Sequence, residues 1–189
     1  MVFGIMEFKE LLKNFGIETR LGACHLSIAY DYLNESNQAR YEAEFIELAN
    51  MSDSPMSRYI NVLRAKNRAE ESGEAIFELL SEIYKKLDNL ERFLKREYSE
   101  LPPLPYNTKL AFIGHDALCL ENESFLHFDA LYVRLFLPTL PQHHIGIFAK
   151  ALNPQIAQIE RIHIRERQAY DSFVVECERT MILDKKSLQ

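Results

Sequence analysis

The chain has 189 residues, of which 47% are hydrophobic and 26% charged, and its net charge is −6. Those totals describe an ordinary globular protein, long enough for one domain with a proper core or one domain plus an appended helical element. An acidic chain lacks the general electrostatic attraction that nucleic-acid binders use, so a nucleic-acid partner is not expected.

The N-terminal stretch MVFGIMEFKELLKNFG places Phe8, Leu11, Leu12 and Phe15 at helical spacing, and Gly16 stops the helix, predicted over residues 5–15. Glu7, Lys9 and Glu10 interrupt it too early for a signal peptide, and no apolar run in the chain approaches a membrane span. In GACHLSIAYDYLN (22–34), Leu26, Ile28, Tyr30 and Tyr32 alternate in part with polar neighbours, which predicts a strand near 24–33. Residues 34–37 are a turn-rich break. Tyr41, Phe45 and Leu48 restore helical spacing over 38–50, with Glu42, Glu44 and Glu47 reading as its solvated face.

A longer helix is predicted from about Pro55 to Tyr98, strongest over 74–98. There Ile76, Leu80, Ile83, Leu87, Leu90 and Leu94 recur at alternating steps of four and three, the spacing of a coiled-coil seam. The register runs back through Ala69, Val62 and Tyr59, while Lys66 and Gly73 fall on seam positions, so continuity through Gly73 stays open. Phe77, Leu79, Tyr84, Phe93 and Tyr98 lie off the seam, and two apolar faces need burying. The expectation is that one face packs on the chain's own domain and the seam joins a second copy, giving a dimer or a tetramer.

The pattern changes at LPPLP (101–105), whose three prolines end the helix and form a rigid linker. Beyond it come short strand-like runs at 108–113 and 117–121 around a Gly114, His115, Asp116 turn. Further runs at 131–137, 145–152 and 155–164 follow, the last two separated by the turn signal Asn153, Pro154. Connections this short require antiparallel pairing. Tyr170, Phe173, Val174, Cys177 and Met181 form one stripe on a final helix over about 165–183, expected to lie on the strands. The fold class is therefore α+β: a helical region over 1–100 that holds the strand near 24–33, then a small antiparallel barrel with a C-terminal helix over 101–189, the two forming one cooperative unit.

Catalytic chemistry finds no support in the motifs. Gly-x-Ser-x-Gly, Walker and Gly-x-Gly-x-x-Gly patterns are all missing, and six glycines leave little material for a phosphate cradle. His143 and His144 are adjacent and point to opposite faces of a strand. His115 and Cys119 flank a turn with no third ligand placed by spacing, so no metal is expected. Cys24, Cys119 and Cys177 sit far apart without CxxC spacing and read as reduced, buried thiols of a cytoplasmic protein. Phe125, Phe128, Tyr132 and Phe136, without a basic groove beside them, read as aromatic core.

The order KLAFIGHDALCLEN, LYVRLFLP, HIGIFAKALN, IERIHI and a helix of the YDSFVVECERTMI type resembles the PilZ domain. The resemblance implies a six-stranded barrel with a C-terminal helix, 24–33 as its first strand and the helices as an insertion after it. It implies a receptor module for cyclic di-GMP or, as in atypical members that oligomerise through long heptad helices, a signalling adaptor. Ligand-binding members carry an Arg-x-x-x-Arg pair and an Asp/Asn-x-Ser-x-x-Gly motif. Laid on FIGHDALCL, the second motif meets Phe112, Gly114 and Ala117, and all three differ. Arg-x-x-x-Arg occurs as Arg64/Arg68, Arg92/Arg96 and Arg161/Arg165, of which Arg92 and Arg96 lie nearest the barrel. The expected function is a non-enzymatic adaptor acting on an unidentified protein partner and on itself, with no cofactor; the alternative is a cyclic di-GMP receptor whose divergent site uses Arg92 and Arg96. A generic sandwich with an accidental likeness stays open as a third reading.

Overall fold

Ile5, Phe8 and Leu12 recur at intervals of three and four and become the buried face of helix α1, Val2–Asn14. Gly16, at φ 74°, takes the left-handed conformation that costs glycine nothing, and the Gly16 and Ile17 amides donate to the Lys13 and Leu12 carbonyls to close the helix end. The structure is a computed structural model and describes residues 2–51, 83, 87, 101–138 and 143–187.

The strands follow as β1 (Leu21–Ala23), β2 (Ser27–Tyr32), β3 (Tyr106–Gly114), β4 (Ala117–Leu120), β5 (Ala130–Leu137), β6 (His143–Asn153) and β7 (Ile156–Ile162). Helix α2, Gln38–Met51, lies between β2 and β3 in the chain, and helix α3, Ile164–Ser187, comes last. Every pairing is antiparallel, as the short connections require. The ladder runs β3–β2–β5–β6–β7–β4, and β4 returns to β3, so six strands close into a barrel without a free edge. β1 pairs with β3 at Leu21↔Gly114 and Ala23↔Phe112, further along the edge that β2 occupies at Ser27↔Lys109 and Tyr30↔Tyr106. The strand expected near 24–33 is realised as β2 over 27–32, while residues 24–26 are not strand and a short β1 precedes them.

Both turns read from the sequence join hairpins. Gly114, His115 and Asp116 lead from β3 to β4, and the Asn153 side chain accepts from the Gln155 and Ile156 amides at 2.8 and 2.7 Å to fold β6 back onto β7. Inside the barrel, Leu131, Val133, Leu135 and Leu137 of β5 meet Ile145, Ile147 and Ala149 of β6, with Leu110, Leu118 and Leu120 opposite. Alternate residues are also buried on β4 and at Tyr132, Arg134, Gly146 and Phe148, where helices cover the barrel's outside, while Phe136, His144 and Lys150 stay exposed. The expected stripe of α3 supplies Tyr170, Phe173, Val174 and Cys177 to the interior cluster, and Met181 packs against the cluster under α1. α3 crosses β1 so closely at Gly22 that an added Cβ would lie 2.6 Å from that of Cys177. Only glycine fits there.

Residues 1–50 and 104–189 form one compact unit and residues 51–103 a second. The long helix expected over 55–98 falls outside the described residues apart from Ile83 and Leu87. Both are helical, one turn apart and exposed, at 48% and 58%.

Candidate functional site

The outer surface of the barrel divides according to what covers it. On β3, β4 and β7 the outward residues Phe112, Ala117, Cys119 and Ile156 are apolar, and Ile5, Phe8 and Leu12 of α1 close over them with Ile17 and Leu21. Phe8 meets Phe112 edge to face with ring centroids 5.6 Å apart. Phe112 and Ala117 are two of the three positions on which the nucleotide motif of the resembled family was laid. Both are buried here, and Gly114 packs against the Arg20 carbonyl and the Thr19 and Leu21 side chains.

On β5 and β6 the cover is α2, and the contact is polar at its centre. Residues 34–37 close a turn in which the Asn34 side chain accepts from the Ser36 and Asn37 amides, while the Asn37 amide group donates to the Tyr32 carbonyl. α2 leaves that turn with Tyr41 stacked on Tyr132 at 4.6 Å, the Tyr41 hydroxyl donating to Asp31 at 2.5 Å. One turn on, Glu44 accepts from Arg134 Nε at 2.9 Å and Nη2 at 2.7 and 2.8 Å, and from the Tyr132 hydroxyl at 3.0 Å. Glu44 and Arg134 are both buried. Glu44 therefore does not lie on a solvated face as expected: the apolar cover of α2 excludes water, and the guanidinium compensates the carboxylate. Burial, then the Glu44 charge, drives the Tyr132 hydroxyl well above its ordinary pKa, so it acts as a hydrogen-bond donor and not as an acid.

α3 fastens the β3–β4 turn. The Tyr170 hydroxyl donates to the Gly114 carbonyl at 2.7 Å, and Asp171 lies 2.8 Å from His115 Nδ1 and 3.2 Å from Arg167 Nε. In its first turn, Glu166 is fully buried, and among the described residues neither carboxyl oxygen has a hydrogen-bond partner. Burial raises its pKa from an ordinary 4.5 to about 8, so it is mostly protonated at neutral pH.

At the β4–β5 connection, residues 121–129 read ENESFLHFD. Phe125 turns inward and meets Tyr30 at 5.2 Å, whereas Leu126 and Phe128 stand in water at 72% and 56% exposure. From sequence, Phe125, Phe128, Tyr132 and Phe136 are all expected in an aromatic core. Phe125 and Tyr132 are buried, but Phe128 and Phe136 are exposed, because one connection anchors by a single aromatic and the outward side of β5 at Phe136 lies beyond the buried Tyr132 and Arg134.

The three cysteines are free and buried, and desolvation pushes their thiols up to about 12 at Cys24, about 12 at Cys119 and about 11 at Cys177, values that suit packing and not nucleophilic attack. Among the described residues no group of three or more His, Cys, Asp or Glu side chains is placed to hold a metal ion, and no helix is long and apolar enough to cross a membrane. Arg92, Arg96, Ile76, Leu80, Leu90 and Leu94 lie outside the described residues. Arg161 and Arg165, a third arginine pair, are committed to α2: Arg161 binds Glu42 and lies over Phe148, and Arg165 donates to Asn50 at 2.8 Å. No protein-family model matches the chain, and neither a curated protein nor a solved structure matches it.

Proposed function

We propose that the chain is a PilZ-type small-barrel adaptor that works by binding proteins, including copies of itself, and not by catalysis. Three features of the architecture support it: six antiparallel strands in a closed ring, the first of them ahead of the helical insertion, and a C-terminal helix packed on the barrel. The observation that carries the reading is the burial of Phe112 against Phe8. The face that would present a polar dinucleotide motif presents apolar side chains instead, and α1 covers it. A cyclic dinucleotide brings two phosphates and needs bidentate cations and open donors, which that face does not offer.

Calorimetric titration of cyclic di-GMP into the purified protein tests it. The expected result is no heat of binding in the micromolar range. Micromolar binding abolished by Arg92→Ala or Arg96→Ala would replace this reading with the receptor alternative.

Self-association is the second part of the proposal. Ile83 and Leu87 sit one turn apart on a helix with their side chains exposed, and Ile76, Leu80, Leu90 and Leu94 continue the same seam in the sequence. Light scattering is expected to give a dimer or tetramer, and Leu80→Glu with Leu87→Glu to give a folded monomer. A monomeric wild type at high concentration ends this part.

A further inference from the structure

Loops that expose apolar side chains commonly do so because they move; residues 121–129 are instead held by their own hydrogen bonds. The Ser124 and Phe125 amides donate to the Pro154 carbonyl at 2.9 and 3.0 Å, and the Leu126 amide donates to the Tyr32 hydroxyl at 2.8 Å. The Tyr30 hydroxyl donates to the Ser124 carbonyl at 2.8 Å, and the Ser124 and Thr108 hydroxyls are 2.8 Å apart. Beneath them Tyr30, Tyr32, Tyr106 and Phe125 form a connected set of rings, and His127 lies against Tyr32 at 5.4 Å. The backbone is thus fixed before any partner arrives, while Leu126 and Phe128 remain in water. Such an arrangement lowers the ordering cost of binding.

The charge around these side chains selects the partner. Glu121, Glu123 and Asp129 share the loop; Glu121 lies 3.0 Å from His25 Nδ1, and among the described residues no lysine or arginine pairs with any of the three. Among the described residues Lys109 and Lys150, on neighbouring strands, form no ion pair with these carboxylates. Phe128 and the half-exposed Tyr106 add aromatic faces that attract cations. An anionic membrane or a nucleic acid is repelled by such a surface.

We infer that residues 121–129 form a preformed docking surface for a basic amphipathic segment of a partner protein, with Leu126 and Phe128 as the apolar anchors and Glu123 and Asp129 as the cation acceptors. The inference rests on the adaptor reading and names the chemistry of its partner.

The test uses the full chain and a labelled Lys/Leu amphipathic helical peptide of about four turns, with a Glu/Leu peptide of the same pattern as control. Fluorescence polarisation is expected to show saturable binding of the Lys/Leu peptide that weakens with salt, and none of the control. Amide shifts are expected to centre on Leu126, His127 and Phe128. Leu126→Ser with Phe128→Ser, at exposed positions that leave folding intact, is expected to weaken binding by about tenfold or more. Absence of saturable binding, or binding unchanged by the double substitution, overturns the docking surface. The adaptor reading fails on a different measurement, the cyclic di-GMP titration of the same sample, so the two failures are distinguishable.

Discussion

α1 and α2 cover the same barrel by opposite means. α1 lies on β3, β4 and β7 through Ile5, Phe8 and Leu12, a contact without direction whose strength follows the apolar area removed from water. α2 lies on β5 and β6 through a stacked tyrosine pair and a buried Glu44–Arg134 pair, which holds only at one register. The comparison teaches that an apolar seat can degrade in steps, whereas a polar seat fails at once when half of it is removed. The distinction decides which substitutions should unseat a helix outright and which should only loosen it.

The largest effect should come from Arg134→Met. It leaves the Glu44 carboxylate buried and uncompensated, at a cost of about 3–5 kcal/mol in urea unfolding. Arg134→Met combined with Glu44→Met removes both charges and should recover most of that loss, since the apolar pair matches the surrounding contact. If the double variant is as unstable as the single one, the seat depends on hydrogen bonding that methionine cannot replace, and α2 is held by polar geometry alone where α1 is held by apolar area.

Next in size is Glu166, the buried carboxyl with no arginine paired to it among the described residues. Its folded pKa lies near 8, above the ordinary 4.5, so the native state holds a proton that the unfolded state releases. Stability from this group is therefore full below about pH 4.5 and is lost as pH rises toward 8, by roughly 1.4 kcal/mol per pH unit. Glu166→Gln should match the wild type at pH 5 and exceed it by about 3 kcal/mol at pH 8, measured as the difference between their unfolding free energies. Equal pH dependence in the two proteins would mean that Glu166 is ionised and paired in solution.

Phe8→Ala probes the apolar seat. Core Phe→Ala changes cost about 3–5 kcal/mol, and this one should fall at or below the low end, about 2–3 kcal/mol, because Phe8 sits at the edge of its cluster and α1 can settle. A loss above that of Arg134→Met would reverse the comparison between the two helices.

Much of this arrangement is legible in the sequence where local chemistry decides it. Gly16 ends α1, Asn153 and Pro154 fold β6 onto β7, and the spacing of Tyr170, Phe173, Val174 and Cys177 marks the buried face of α3. What the sequence hid depends on partners far away in the chain. Glu44 shares the stripe of Tyr41, Phe45 and Leu48 by helical spacing, yet its charge hides its burial until Arg134, ninety positions on, is placed above it. A signal was present on the other side, since Arg134 is the lone charge in the apolar run LYVRLFL. The docking loop was hidden for a similar reason: in ESFLHF nothing local distinguishes the inward Phe125 from the outward Phe128, and the Pro154 carbonyl that decides between them lies on another hairpin.

The smallest effect is expected at a second ion pair of α2, and it isolates what burial contributes to the first. Glu42 and Arg161 pair on the open edge of the same helix, where both side chains are substantially exposed. Water and salt already screen that pair, so Glu42→Gln should cost about 0.5 kcal/mol or less, with the small loss shrinking further at high salt. Arg161 would stay in place without its partner, because its guanidinium lies 4.2 Å from the Phe148 ring centroid and 4.9 Å from that of Phe45. Arg161→Gln should accordingly cost more than Glu42→Gln, since it removes the cation from both rings as well as from the carboxylate. Urea unfolding of the two single variants at low and high salt reads the difference directly. If Glu42→Gln proved as costly as Arg134→Met, the outer pair would be holding α2 in register, and dry surroundings would not be what makes the inner pair decisive.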